Sequence, residues 1–266
     1  ASSHIEGIRR IGDLELAAVA DENCELARKK AENFCVPTCY KTADELIADP
    51  EIEVVHNCTP NHLHLSLNEK IIRAGKHIFS EKPLGMTSRE SARMLELLKE
   101  HPSTVAGVNF CYRMNALLQD AKNRIAAGEI GNVYLAHGSY LQDWLLFDTD
   151  YNWRVEPETC GESRCVGDIG SHWMDTAQVL VGSRIVEVCA NVVTAVPVRK
   201  KPTKPVETFS LNTDVETVDV EVKTEDYAGV LVKFENGASG AFQCSQVSAG
   251  RKCFIDIEID GSLSSL

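Results

Sequence analysis

The sequence predicts an α/β chain in two parts: a doubly wound parallel sheet, then an α+β region around a large, open, mainly antiparallel sheet. Three observations carry this. Over the first 110 residues, near-continuous apolar runs alternate with amphipathic helical stretches, the rhythm of strands covered on both faces and joined by helices. After about Cys111 that rhythm breaks, and in the last fifty residues apolar and polar residues alternate with period two, as half-buried strands do. Asn236-Gly237 stands between two such strands, a strong hairpin signal. At 266 residues the chain exceeds what one core of about 250 residues organises, so it reads as two domains, 1–110 and 111–266.

The elements follow in order. "ASSHIEGIRRIG" has the pattern of a helix interior, "LELAAVAD" is a buried strand, and "ENCELARKKAENF" is a helix. Thr42, three residues before Glu45, forms a capping box that opens the next helix. "IEVVHNCTP" is a second buried strand, and "NHLHLSLNEKIIRAG" an amphipathic helix stopped by Gly75. "KHIFSEKP" is a strand, "TSRESARMLELLKEH" a helix boxed by Thr87 and Glu90, and "STVAGVNF" a fourth strand. In the second part, a helix over 114–127 ends at Gly128 and "NVYLAHGSYL" is a strand. Residues 142–166 are irregular, "VGDIGSHWMD" opens a helix, and "RIVEVCANVVTAV" is a strand. Residues 199–214, with their prolines, read as an exposed loop. "AGVLVKF", "ASGAFQCS" and "KCFIDIEI" complete the sheet.

Composition narrows the partners. A net charge of −12, from 39 acids against 27 bases, with no basic run, disfavours nucleic acid and anionic membranes. Small molecules and other subunits remain. No apolar run reaches the roughly 20 residues of a membrane span, and no signal peptide opens the chain, which points to the cytoplasm. The closest of the ten cysteines, Cys35/Cys39 and Cys160/Cys165, lack the two-residue gap of a zinc site. They are expected to be small buried thiols in a reducing compartment. His62 and His64, two apart on a helix, point away from each other, so no metal is expected.

The residues that can carry chemistry lie at strand ends. Asp21 ends the first strand of this chain, and an acid at the end of the second strand of a doubly wound sheet binds cofactor ribose hydroxyls; the alternative is a cap on a helix starting at Glu22. Acidic Glu22 and the absence of an adjacent arginine favour NAD over NADP, which stays open. The Thr59-Pro60-Asn61 turn offers backbone amides and a helix start to a cofactor. Lys82, in "SEKPLG", ends another strand. Its ammonium can hold both a ribose and a substrate hydroxyl and favour a developing alkoxide, and Pro83 can adopt the cis form that locks its direction. Asp168 and His172, four apart on one helix face, can reach one point. A helix cap at Asp168 beside a packed His172 is the competing reading.

"AAVAD", "NCTPNHLH", "AGKHIFSEKPLGMT", "GVNFCYR", "GEIGNVY" and "GDIGSHWMD", in this order along nearly the whole chain, resemble the glucose–fructose oxidoreductase/inositol dehydrogenase/rhizopine-catabolism (Gfo/Idh/MocA) oxidoreductases. The segment from Asp148 to Asp175 is similar to a branch acting on sugars and polyols. The resemblance implies a Rossmann-type first domain whose first strand and glycine-rich loop precede Ala1, and a second domain with further strands beyond Leu266. It implies hydride transfer between NAD (or NADP) and a secondary alcohol of a sugar, inositol or related polyol, with pairing into a homodimer or homotetramer through the second sheet. Lys82, Asp168 and His172 take catalytic roles: histidine, with an ordinary pKa near ~6.5, is suited to accept the hydroxyl proton as hydride leaves. Cofactor contacts fall on Asp21, Thr59, Pro60, Asn61, Glu81, Lys82 and Asn109. Substrate contacts fall on Arg113, Tyr140, Gln142, Asp143, Trp153 and Arg154.

Three rivals remain at this stage. One is a redox-neutral sugar-modifying enzyme that keeps its NAD; another is a catalytically silent dinucleotide-binding regulator. The third is a zinc hydrolase using His62, His64 and His172.

Overall fold

In the computed structural model, which describes residues 2–204 and 215–266, the chain divides into two units, Ala1–Asn109 and Phe110–Leu266. The first opens with α1 (Ser2–Ile11) and alternates β1 (Ala18–Ala20), α2 (Cys24–Asn33), β2 (Thr38–Tyr40), α3 (Ala43–Ala48) and β3 (Val54–Asn57). Then come α4 (His64–Arg73), β4 (His77–Ser80), α5 (Ser88–Glu100) and β5 (Ala106–Val108). All its strand pairs are parallel, in two sheets, β1-β2 and β3-β4-β5. The apolar run from Leu14 pairs only over Ala18–Ala20, because its partner β2 is three residues long. That partner, behind Pro37, is too short to show a period in the sequence.

Local chemistry fixes the helix starts. Thr42 and Thr87 accept from the amides of Glu45 and Glu90 (both 3.2 Å), while those glutamates reach back to the amides of Lys41 and Met86. Gly75, at φ +75°, closes α4 as a left-handed stop. Ile47, Ile71, Ile72, Ile78, Met94 and Leu97 join α3, α4 and α5 to β4 in one core. Each such side chain contributes about 1.5–3 kcal/mol through burial.

The second unit contains α6 (Ala116–Ala126), β6 (Val133–Leu141), α7 (Pro157–Cys160), α8 (Ser171–Val181), β7 (Ile185–Val193), β8 (Val198–Pro202), β9 (Thr217–Glu221), β10 (Tyr227–Phe234), β11 (Ser239–Ser245) and β12 (Phe254–Gly261). Five strands form a sheet ordered β12-β6-β11-β10-β7, in which only β6 and β11 run parallel. Asn236-Gly237 turns β10 into β11. Helix α8 covers one face: Trp173 stacks on Phe242 at 4.4 Å, and Ala177 and Leu180 join Ala136, Val230 and Phe234 beneath it. The opposite face shows Leu135, Leu231, Val193 and Phe254 to solvent.

Three expectations are corrected. The stretch 199–214 begins as strand: β8 pairs antiparallel with β9, and the rest of it, 205–214, lies outside the described residues. The cysteines form no disulfide, and only Cys160, Cys165 and Cys244 are buried; six are exposed, so the expectation of buried thiols fails for most. Asp168 lies in a π-helical turn, Val166–Gly170, which runs into α8, and not in an ordinary α-helical turn.

Around the irregular 142–156 stretch, Asp226 is buried between two equally buried arginines. Its Oδ1 accepts from Arg199 Nη2 at 2.8 Å and from Arg164 Nη2, and its Oδ2 accepts from the Val196 amide at 2.8 Å. Arg199 also donates to the carbonyls of Leu145 (2.8 Å), Phe147 (2.8 Å) and Asp150 (3.1 Å). An aspartate immediately before the first strand of the β10–β11 hairpin thus anchors the loop.

Candidate active site

In the first unit the predicted residues stand at carboxyl ends of parallel strands, where α/β sheets bind ligands. Asp21 follows β1, exposed, its Oδ1 accepting from the Asn23 amide at 2.9 Å. It does not cap α2: Asn23 does, accepting from the Leu26 amide at 3.0 Å. Asn57 shapes the Thr59-Pro60-Asn61 turn by accepting from the Thr59 hydroxyl (2.7 Å) and amide (3.2 Å), and donates to Asn68, which donates to Ser80. This buried amide ladder ties the ends of β3 and β4 through α4. His64 joins the same two loops, its ring nitrogens 2.9 Å from the Thr59 carbonyl and 2.6 Å from that of Pro83.

Glu81 lies at the centre of the β4 end. Its Oε1 accepts from Asn109 Nδ2 (2.8 Å) and meets His4 Nε2 (2.7 Å), and its Oε2 accepts from the Lys82 amide (3.2 Å). The structure therefore brings Glu81 and Asn109 together, and Glu81 orients the backbone of half-buried Lys82, whose bond to Pro83 is cis. The donor set fits a dinucleotide: an exposed acid after β1 without a neighbouring arginine, a turn pinned by Asn57 at a helix start, and a lysine and an amide at the next strand ends.

The His4–Glu81 contact sets a pH dependence. Hydrogen bonding to Cys58, then to Glu81, raises His4 from 6.5 to about 9. Burial pushes the Glu81 carboxyl up, but bonds from His4 and Asn109 outweigh it and lower it from 4.5 to about 2. A raised histidine stabilises fully below its unfolded value, so this contribution fades as pH rises from 6.5 through about 9. The glutamate's contribution is complete above 4.5 and fades as pH falls toward 2. Urea midpoints are expected to decline between pH 6.5 and 9 by the equivalent of about 1–2 kcal/mol, scaled down for partial exposure. His4→Gln is expected to flatten that decline.

In the second unit Asp168, half-buried on the π turn, has Arg154 Nε 3.5 Å from Oδ1 and Gln246 Nε2 3.0 Å from Oδ2. Arg154 packs over Trp153 at 4.3 Å and Trp144 at 5.9 Å. Asn152 fixes this corner by accepting from the Arg154 amide at 2.8 Å. His172, the second residue of α8, is 8% exposed and ringed by Tyr112, Phe110 and Tyr140, with centroids 4.9, 5.8 and 6.4 Å away. The Tyr112 and Tyr140 hydroxyls are 2.7 Å apart. Gln142 donates to Tyr140 (3.4 Å) and accepts from Trp144 Nε1 (2.6 Å). Burial, then Cys253, pushes the Tyr112 phenol up to about 12.

Two candidates have other partners in their unit. Arg113 forms a two-pronged ion pair with Asp175, and Asp143 accepts from Lys252 (2.9 Å) and the Gly250 amide (3.1 Å). Sequence reasoning missed Trp144, Tyr112, Gln246 and His4, and weighed His64 only as a metal ligand. Trp144 had a signal, an aromatic side chain two residues from the candidate Gln142, to which its Nε1 donates. Gln246 had none, because only the fold carries β11 to the π turn.

Among the described residues, no helix is long and apolar enough to cross a membrane. Residues 1–110 match the family described as "Oxidoreductase family, NAD-binding Rossmann fold", and residues 118–266 match the GFO/IDH/MocA C-terminal domain. Levoglucosan dehydrogenase of Pseudarthrobacter phenanthrenivorans is 33% identical over 93% of this chain and 63% of its own length. Glucose-6-phosphate 3-dehydrogenase of Bacillus subtilis is 26% identical over 98% of this chain and 69% of its own. Among solved structures, an oxidoreductase domain protein from Kribbella flavida superposes with a TM-score of 0.89 at 30% identity, covering 100% of this chain and 68% of that one. A levoglucosan dehydrogenase complex with NADH and levoglucosan gives 0.84 at 33% identity, covering 94% and 63%. The chain thus spans somewhat under two thirds of the levoglucosan dehydrogenase that it matches.

Proposed function

This chain belongs to the Gfo/Idh/MocA oxidoreductases, and we propose that it transfers hydride between NAD and a secondary alcohol of a sugar, inositol or related polyol. The observation that carries this reading is the start of α8: an aspartate clamped by Arg154 and Gln246, one turn from a histidine ringed by aromatics. Aromatic faces and fixed hydrogen-bonding groups suit a hydroxylated ring. Nicotinamide, when bound, supplies the hydride acceptor. His172 takes the hydroxyl proton, Asp168 fixes the neighbouring geometry, and Lys82 holds the oxygen through its ammonium. Asp21 holds the ribose diol, the Thr59–Asn61 turn and Asn109 line the cofactor, and Glu81 orients Lys82. Tyr140, Gln142, Trp153 and Arg154 face the sugar; Arg113 and Asp143 shape this region through their ion pairs. The test is nicotinamide absorbance with NAD or NADP and a panel of neutral sugars, inositols and sugar phosphates. Reduction of NAD by at least one neutral polyol is expected; a flat response across the panel would remove the reading.

The exposed face of the five-stranded sheet is proposed to pair subunits into a dimer or tetramer. Leu231 (60% exposed), Leu135 and Val193 are apolar side chains that this face shows to water. Light scattering on Leu231→Asp is expected to give monomer where the parent gives an oligomer.

A further inference from the structure

We propose that Gln246 is the positioning residue for Asp168: its side-chain amide fixes which way the carboxylate points and holds it as an acceptor. The inference rests on the reading of Asp168 above. Gln246 follows the end of β11 and has no solvent exposure. Its backbone is held on both sides, the amide donating to the Asp226 carbonyl (2.9 Å) and the carbonyl accepting from the Leu145 amide (3.1 Å). The side chain therefore leaves a rigid crossing of the sheet, the Asp226 anchor and the 142–156 loop. It places Nε2 3.0 Å from Asp168 Oδ2. An ionised carboxylate only accepts, so the nitrogen is the end that faces it.

The other end of the amide makes the argument specific. Gln246 Oε1 is buried without a hydrogen-bond partner, a state that costs stability and that packing alone would avoid by an apolar side chain of the same size. The amide is kept for its donor. A glutamate of equal shape would set a second negative charge against Asp168, and a methionine would fill the space and donate nothing. Asp168 also meets Arg154 from the 142–156 loop, and its own amide donates to the Arg164 carbonyl at 2.7 Å. Cys160, Arg154, Arg164 and Glu225 share one cluster with Asp168, so Gln246 acts against a background of charges of both signs. Arg154 meets one carboxylate oxygen and Gln246 the other, which leaves the carboxylate little rotational freedom.

The test uses the whole chain with ¹³C-labelled aspartate, the Asp168 carboxyl signal being assigned through Asp168→Asn. In Gln246→Glu the Asp168 midpoint is expected to rise by at least one pH unit, a tenfold change in proton affinity, and in Gln246→Met by a smaller amount. The acidic limb of kcat/KM is expected to move with it. Should either variant fail to fold, the parent answers by itself: the Gln246 side-chain NH₂ signals are expected to shift in step with the Asp168 titration. An Asp168 midpoint equal in parent and both variants, or NH₂ signals that ignore the titration, overturns the assignment. Absence of turnover in the parent would instead overturn the reaction proposed above, a separate result because the titrations need no substrate.

Discussion

His172→Asn is expected to slow polyol oxidation by about 10²–10⁴-fold, the usual worth of a positioned general base, while NAD still binds. Asparagine keeps a hydrogen-bonding end but cannot accept a proton near neutral pH. The imidazole has only 8% exposure and three aromatic neighbours, so little water can replace it as proton acceptor. Steady-state nicotinamide absorbance reads the rate, and quenching of protein fluorescence by NAD reads binding. A variant within a few-fold of the parent would return His172 to the role of a packed core residue and move base catalysis elsewhere.

Asp226→Ala is expected to destabilise the chain by about 3–5 kcal/mol, because it leaves the guanidiniums of Arg164 and Arg199 buried without their shared anion. Urea unfolding of parent and variant measures this. The loss should reach the site as well, since Arg199 holds the carbonyls of Leu145, Phe147 and Asp150. Released, the loop that carries Trp144, Trp153 and Arg154 gains freedom, and KM is expected to rise more than kcat falls. A variant as stable as the parent would show that water or the neighbouring Glu225 neutralises the arginines.

The fold was legible where local signals were strong. The Thr42 and Thr87 boxes, Gly75 and Asn236-Gly237 each dictate a backbone geometry within a few residues, and each is found where expected. It was not legible where tertiary pairing decides. β2 is three residues that become strand only beside β1, and β8 is basic, proline-bearing chain that becomes strand only beside β9. At the site, residues carrying a charge or an imidazole at a strand end or helix start announced themselves. Gln246 and Tyr112 did not: a buried amide and a tyrosine in a chain of this length are unremarkable until folding sets them against Asp168 and His172.

The widened turn at Val166–Gly170 has a cost and a use. Such turns accommodate one residue beyond the regular helical repeat at the expense of hydrogen-bond geometry, and they survive where that residue aims something. Taking out Gly167 would let regular helix run through into α8, which should melt higher while Asp168 swings out of reach of Arg154 and Gln246. Selection for heat tolerance and selection for turnover therefore pull on this one peptide unit in opposite directions.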